Sequence, residues 1–204
     1  MKKSISKRLT EPIVGNFMTM NQDARGVFYT IGHSTRTEEE WLALLTHYRV
    51  ACLVDVRTVP KSRRVPHFNK EHLASLLPKH GMEYRHHPAL GGLRKSNDPH
   101  SPNRGWRNAS FRGYADYMQT EGFEKALESL LSEMRGRRTA LMCAEAVPWR
   151  CHRMLLSDAL SVRGLSVCHI LSSTGVKPHN ITSFAKVEGK KIIYPSSQGQ
   201  SSLF

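Results

Sequence analysis

The chain has 204 residues, a length that fits one generous domain with a real core. Its 30 Lys and Arg against 17 Asp and Glu leave a net charge of +13. That excess points to a polyanionic partner, nucleic acid first and an acidic membrane surface second, since a small anionic substrate needs only a local patch. No run is apolar enough to span a bilayer, the basic N-terminus lacks the apolar core of a signal peptide, and Cys52, Cys143, Cys151 and Cys168 are too few for a disulfide framework. The expectation is therefore a cytoplasmic protein in a reducing compartment, with no membrane partner.

Residues 1–25 show no periodicity and are expected to form a basic flexible arm. Val27 to Ile31 reads as a strand, followed by the loop Gly32-His33-Ser34. Thr37 with Glu40 forms a capping box for a helix carrying Trp41, Leu44, Leu45 and Tyr48. Cys52 to Val56 is a continuous apolar strand ended by charge, the pattern of a strand buried on both faces. A basic, proline-bounded loop, Val59 to Pro66, leads to a helix with Asn69 as its cap and Leu73, Leu76 and Leu77 on one face. A short strand is expected at Met82 to Tyr84, then a long loop rich in Asn, Pro, Ser and Gly through residue 109. Phe111, Tyr114 and Met118 mark a helical turn, and Phe123 to Met134 a clearer helix. Thr139 to Cys143 is the next strand, a helix runs from Cys151 to Val162, and Val167 to Leu171 is a further strand. Strands alternating with helices define an α/β fold, a single domain with a mainly parallel sheet and helices on both faces. The domain is expected over residues 26–185, with a C-terminal tail over 186–204.

Ligands of open parallel sheets bind beyond the carboxyl ends of the strands. The residues just after the strands are His33 and Ser34; Asp55, Arg57, Ser62 and Arg63; Gly91, Gly92 and Arg94; and Cys143, Glu145, Cys151, His152 and Arg153. They are expected to converge on one crevice. Cys151 sits where a helix start and nearby arginines would lower a thiol pKa, which suits a nucleophile, a redox thiol or a metal ligand. Glu145 could act as a base, as a nucleophile, or only as the partner of an arginine. Asp55 and Arg57 lie two apart and share a face of their strand, as a catalytic pair or as a structural ion pair. Consecutive Cys151 and His152 make poor joint metal ligands, so no metal and no cofactor is expected, a divalent ion aside. Trp106 and Tyr114 stand near Arg104, Arg107 and Arg112, an interleaving suited to base stacking with phosphate contact, or to plain core packing.

Gly32-His33-Ser34, Val54-Asp55-Val56-Arg57 with Pro60 and Ser62-Arg63, Leu90-Gly91-Gly92, Phe111 to Met118, and Cys143-Ala144-Glu145 with Cys151-His152-Arg153 together resemble the domain-of-unknown-function family 488. The resemblance covers about Phe28 to Ile170 and implies the α/β fold and the motif positions, but no reaction. At the chain end, Gln200-Ser-Ser-Leu203-Phe204 is similar to the peptide by which bacterial repair and replication proteins bind the sliding clamp, with Ser201 in place of the usual aliphatic residue.

The first functional expectation is an enzyme acting on DNA or a nucleotide, in repair, by base excision or a related hydrolysis. Asp55 or Glu145 would assist attack, His33 would move a proton, and Arg57, Arg63 and Arg153 would hold phosphates. The alternatives are a cysteine-based sulfur-transfer or redox enzyme using Cys143 and Cys151, and a non-catalytic DNA-binding module.

Overall fold

The computed structural model describes residues 28–96 and 98–196. Five parallel strands, β1 (Phe28–Gly32), β2 (Cys52–Asp55), β3 (Glu83–His86), β4 (Thr139–Cys143) and β5 (Val167–Ser172), lie in the order β3-β2-β4-β1-β5. β6 (Gly175–Pro178) closes the β5 edge in the antiparallel sense. The helices are α1 (Glu38–His47), α2 (Lys70–Lys79), α3 (Ala109–Tyr117), α4 (Glu121–Glu133) and α5 (Arg153–Ser161).

Side chains alternate across the sheet and so build two cores. Ile31, Leu53, Ala140, Met142 and Ile170 pack with Trp41 and Leu45 of α1 and Leu73 and Leu77 of α2. Phe28, Val54, Leu141 and Val167 pack with Tyr114 of α3, Leu127 and Leu130 of α4, and Leu155 and Leu156 of α5. The apolar strands of the sequence are thus covered on both faces, as a parallel sheet requires. The capping box forms as expected, with Thr37 and Glu40 each bonded to the other's backbone.

β1 and β4 are neighbours, yet α1 and α5, the helices that follow them, belong to opposite cores. Their carboxyl ends, where Gly32 faces Cys143, therefore form the topological switch point. Gly32 matters here because a Cβ would stand 1.8 Å from the Glu145 carbonyl oxygen. Only glycine lets the loop after β4 close over the end of β1.

Four details differ from the sequence expectation. β3 runs from Glu83 to His86 and is only partly buried, because it is the sheet edge. Asn69 takes the N-cap position of α2, but its Oδ1 accepts the Ser62 N–H at 2.6 Å instead of capping the helix. α5 starts at Arg153, since Cys151 is extended and only His152 turns into the helix. The packed domain also runs past residue 185. A hairpin, β7 (Lys186–Glu188) and β8 (Lys191–Ile193), leads to Tyr194, which is fully buried. The Tyr194 hydroxyl donates to Asp158 on α5 at 2.8 Å, and Thr182 and His179 bond the same carboxylate. Two three-residue strands with one buried side chain carried too weak a pattern to be legible. The arm at 1–25 and the clamp-like residues Gln200, Leu203 and Phe204 lie outside the described residues.

Candidate functional site

At the end of β2, Asp55 is 0% exposed and Arg57 8%. Asp55 Oδ1 accepts from Arg57 Nε at 2.8 Å and from the Arg57 backbone N–H at 3.0 Å. Oδ2 accepts from Arg57 Nη2 at 2.5 Å and from the Tyr84 hydroxyl at 2.9 Å. Both oxygens are thus doubly bonded, and no lone pair remains for a substrate. Arg57 is equally committed: it also donates to the Phe68 carbonyl and, at 3.3 Å, to His33 Nε2. His33 stacks on Phe68 at 4.4 Å, bonds the Ser34 carbonyl through Nδ1, and is pushed down to about 4 mainly by burial. Asp55, Arg57 and His33 form a sealed, neutral-imidazole ion-pair network. The structural ion pair is the alternative the geometry takes for Asp55, whose oxygens are saturated, and His33, 3% exposed, is held by Arg57 and the Ser34 carbonyl.

The end of β4 is different. Cys143 Sγ lies 2.7 Å from Cys151 Sγ, and each residue is 4% exposed. Cys151 Sγ also accepts the Arg153 backbone N–H at 3.5 Å and faces His152 Nδ1 at 3.4 Å. The N-cap residue His152 makes no capping hydrogen bond with its side chain; the Cys151 sulfur instead takes the first N–H of α5, where the dipole favours negative charge. The Arg153 side chain is buried at 1% exposure and donates to the Glu145 backbone carbonyl. Among the described residues it meets no carboxylate, and its Nε has no partner, nor has Ser157 Oγ one turn on. A buried guanidinium without a carboxylate favours an anion beside it. Burial alone would raise the Cys151 thiol, but the Cys143 hydrogen bond and the Arg153 charge outweigh it and bring it from 9.0 to about 6. Cys143, bonded to Cys151 and itself buried, goes well above 9.0. The two thiols are thus pushed in opposite directions, Cys151 toward the thiolate.

The surroundings are made by close approach. A Cβ on Gly92 would meet His152 Nδ1 at 2.4 Å, and one on Gly91 would meet Thr58 Oγ1 at 2.2 Å. Tyr114 is fully buried, donates to the Leu90 carbonyl at 3.1 Å and packs on His152 at 5.1 Å. Burial holds His152 below 6.5. The two sulfurs and His152 Nδ1 lie within 4.8 Å of one another and are the donors available to a soft metal ion.

The remaining expected residues divide clearly. Ser34 has φ 49° and donates its N–H to the Ala144 carbonyl, tying the β1 loop to the β4 loop. Ser62 Oγ accepts the backbone N–H groups of Arg64 and Val65, so it shapes its loop. Arg63 is exposed. Arg94 binds the Gly91 and Ala89 carbonyls and covers the Tyr117 ring at 3.7 Å. Trp106 packs on Phe111, Phe184 and Tyr194, and Tyr114 is sealed, so core packing is the role these aromatics take rather than base stacking. Glu145 is exposed at the loop surface. Sequence reasoning missed Tyr84 as the fourth donor to Asp55, and exposed Trp149 beside Cys151; alternation on β3 and the Pro148-Trp149-Arg150 turn were the available signals. A cleft of 570 Å³ lies apart from the thiols, and in it Arg36, Arg64 and His67 share the lining with Glu38 and Glu39.

Fold and site together define an α/β domain with a thiol pair at the switch point of a parallel sheet. The chain belongs to the family described as domain of unknown function DUF488, whose model matches residues 37–160, more than half of the chain. The match runs from α1 through α5 and includes both cysteines, His152 and Arg153. No curated protein and no solved structure matches the chain.

Proposed function

We propose that the protein is a cysteine-centred sulfur-transfer or thiol-redox enzyme in which Cys151 is the nucleophile and Cys143 its partner thiol. The contact between the two sulfurs at the start of α5, beside a buried arginine without a carboxylate, carries the reading. The Cys151 thiolate attacks the outer sulfur of a sulfane donor such as thiosulfate. A new S–S bond forms on Cys151, the donor's S–S bond breaks, and sulfite leaves with the electron pair. An acceptor thiolate then takes the outer sulfur and returns Cys151 to its thiolate. In the redox branch Cys143 attacks Cys151 of the persulfide instead, giving a Cys143–Cys151 disulfide and expelling hydrosulfide with the proton of Cys143. Arg153 holds negative charge at Cys151, and His152 confines the sulfur.

A hydrolytic reading, base excision included, would rest on Glu145 alone, because Asp55 has no free acceptor. The partners we propose are nucleic acid, argued below, and a bacterial sliding clamp engaging Gln200, Leu203 and Phe204 at the chain end. A cytoplasmic, reducing compartment would keep both thiols free. The test is sulfite release from thiosulfate with cyanide as acceptor. Cys151→Ser should abolish it, and Glu145→Gln should leave it within about twofold, since an exposed carboxylate outside the sulfur contacts is screened by solvent. Sulfite release unchanged in Cys151→Ser would end the proposal.

A further inference from the structure

The thiol chemistry leaves most of the positive charge unexplained, and a share of it stands at the carboxyl edge of the sheet, around the thiols. The loops at the carboxyl ends of β1 to β4, residues 33–37, 56–69, 87–108 and 144–152, contain ten Lys and Arg and two acids, Asp98 and Glu145. Arg57, Arg36 and Arg94 serve the fold through Asp55 and backbone carbonyls. Lys61, Arg63, Arg64, Lys95 and Arg150 are exposed and join no ion pair among the described residues. At the amino edge Arg137 and Arg163 are held by Glu83 and Glu124, while Arg49, Arg135 and Arg138 are exposed and join no ion pair among the described residues, so the carboxyl edge is set apart by the apolar side chains that stand among its cations and not by charge alone.

These loops touch one another around Cys151. Thr58 Oγ1 accepts the Leu93 N–H at 3.4 Å, Gly91 abuts Thr58, and Gly92 abuts His152. On these loops, which we call the collar, stand the free cations. Between them stand exposed apolar side chains: Val59 at 62%, Leu93 at 74% and Trp149 at 48%, the last with the Lys177 ammonium 5.1 Å from its ring centre. Alternating cations and apolar faces around a recess match a flexible chain of phosphates and bases. A bilayer surface would meet the charges but offers no planar face to Trp149.

We propose that this face binds a single strand of nucleic acid, with phosphates on Lys61, Arg63, Arg64, Lys95 and Arg150 and bases against Trp149 and Leu93, so that the bound strand covers the approach to Cys151. A single strand offers its bases to these side chains without the cost of unpairing a duplex. The docking does not rest on the thiol reading.

Fluorescence anisotropy on the full chain tests it, using labelled DNA and RNA strands of about 16 nucleotides, the matching duplex, and phosphatidylserine vesicles, between about 50 and 200 mM NaCl. Single strands should bind more tightly than duplex, with affinity falling steeply as salt rises. Arg63→Ala with Arg64→Ala and Arg150→Ala should weaken binding about tenfold or more and reduce the salt slope by about 2. Trp149→Ala should cost about fivefold or more with the slope unchanged. The amino-edge triple Arg49→Ala, Arg135→Ala and Arg138→Ala should change affinity by no more than about twofold. Bound strand should slow alkylation of Cys151 by iodoacetamide. Preference for duplex, binding to vesicles alone, equal loss in the amino-edge triple, or binding that leaves Cys151 unprotected would each overturn the proposal. Intact docking and protection with no sulfite release from thiosulfate would remove the thiol reading and leave the docking standing.

Discussion

Cys143 and Cys151 are chemically identical side chains in contact, and the protein makes them unequal. Cys151 sits at the end of α5 against Arg153, and Cys143 closes a buried strand. The Arg153 charge favours a thiolate at either sulfur, but only Cys151 also accepts hydrogen bonds from Arg153 at the start of α5, so Cys151 is pushed down and Cys143 up. The alkylation rate of Cys151 should therefore rise with pH through a midpoint near 6 in the native chain. Cys143→Ala removes the hydrogen bond that stabilises the thiolate, so the midpoint should move up toward 9.0. A midpoint that stays near 6 in this variant would assign the effect to Arg153 alone. At the same scale, Asp55 and Arg57 looked like a catalytic pair because spacing of two puts them on one face. Their fate depended on Tyr84, which fills the last Asp55 acceptor, and on Phe68 and His33, which with Asp55 engage four of the five guanidinium N–H groups of Arg57.

At the scale of elements, the site depends on loops that meet without clearance. The β1 end accepts the β4 loop only because residue 32 has no side chain; Gly92 does the same for His152. In Gly32→Ala the new Cβ meets backbone, not a side chain that can turn away. The 144–146 loop must move, and with it the carbonyl that Arg153 holds. We expect a loss of about 1–3 kcal/mol in urea unfolding, together with slower alkylation of Cys151. Full stability with unchanged alkylation would show that the loop closes without this approach. The same scale explains the misplaced tail. β7 and β8 have weak periodicity, and they are fixed by Tyr194 reaching Asp158 and by Asn103 accepting the Tyr194 N–H.

For the whole molecule, two buried histidines set the acid limit. Burial holds His33 at about 4 and His169 at about 3, against 6.5 in an open chain. His169 lies in a chain of hydrogen bonds from Thr30 through His179 to Asp158, which joins β1, β5 and α5. Between pH 6.5 and these lower values the unfolded chain binds protons that the folded chain refuses. Stability is therefore fully present above pH 6.5 and declines as pH falls toward 4. The urea midpoint should drop steadily over that window; a flat profile would mean that these imidazoles accept protons without loss of structure. The charge acts on the same scale in a different way: its sum was visible in the sequence, but only the placing of loops on one edge makes it a surface.

Apolar alternation and the α/β order of segments needed no tertiary information, because periodicity of two and of 3.6 is local to each segment. The positions of the motif residues at strand ends followed from the same pattern; the resemblance to the DUF488 family came from the motif residues themselves, and the family model matches over 37–160. Which of those residues touch solvent, which carboxylate is saturated and which thiol keeps its proton were decided by side chains from strands and helices far apart in the chain. Hydrogen bonding and burial depend on partners brought together by the fold, and no local spacing encodes them.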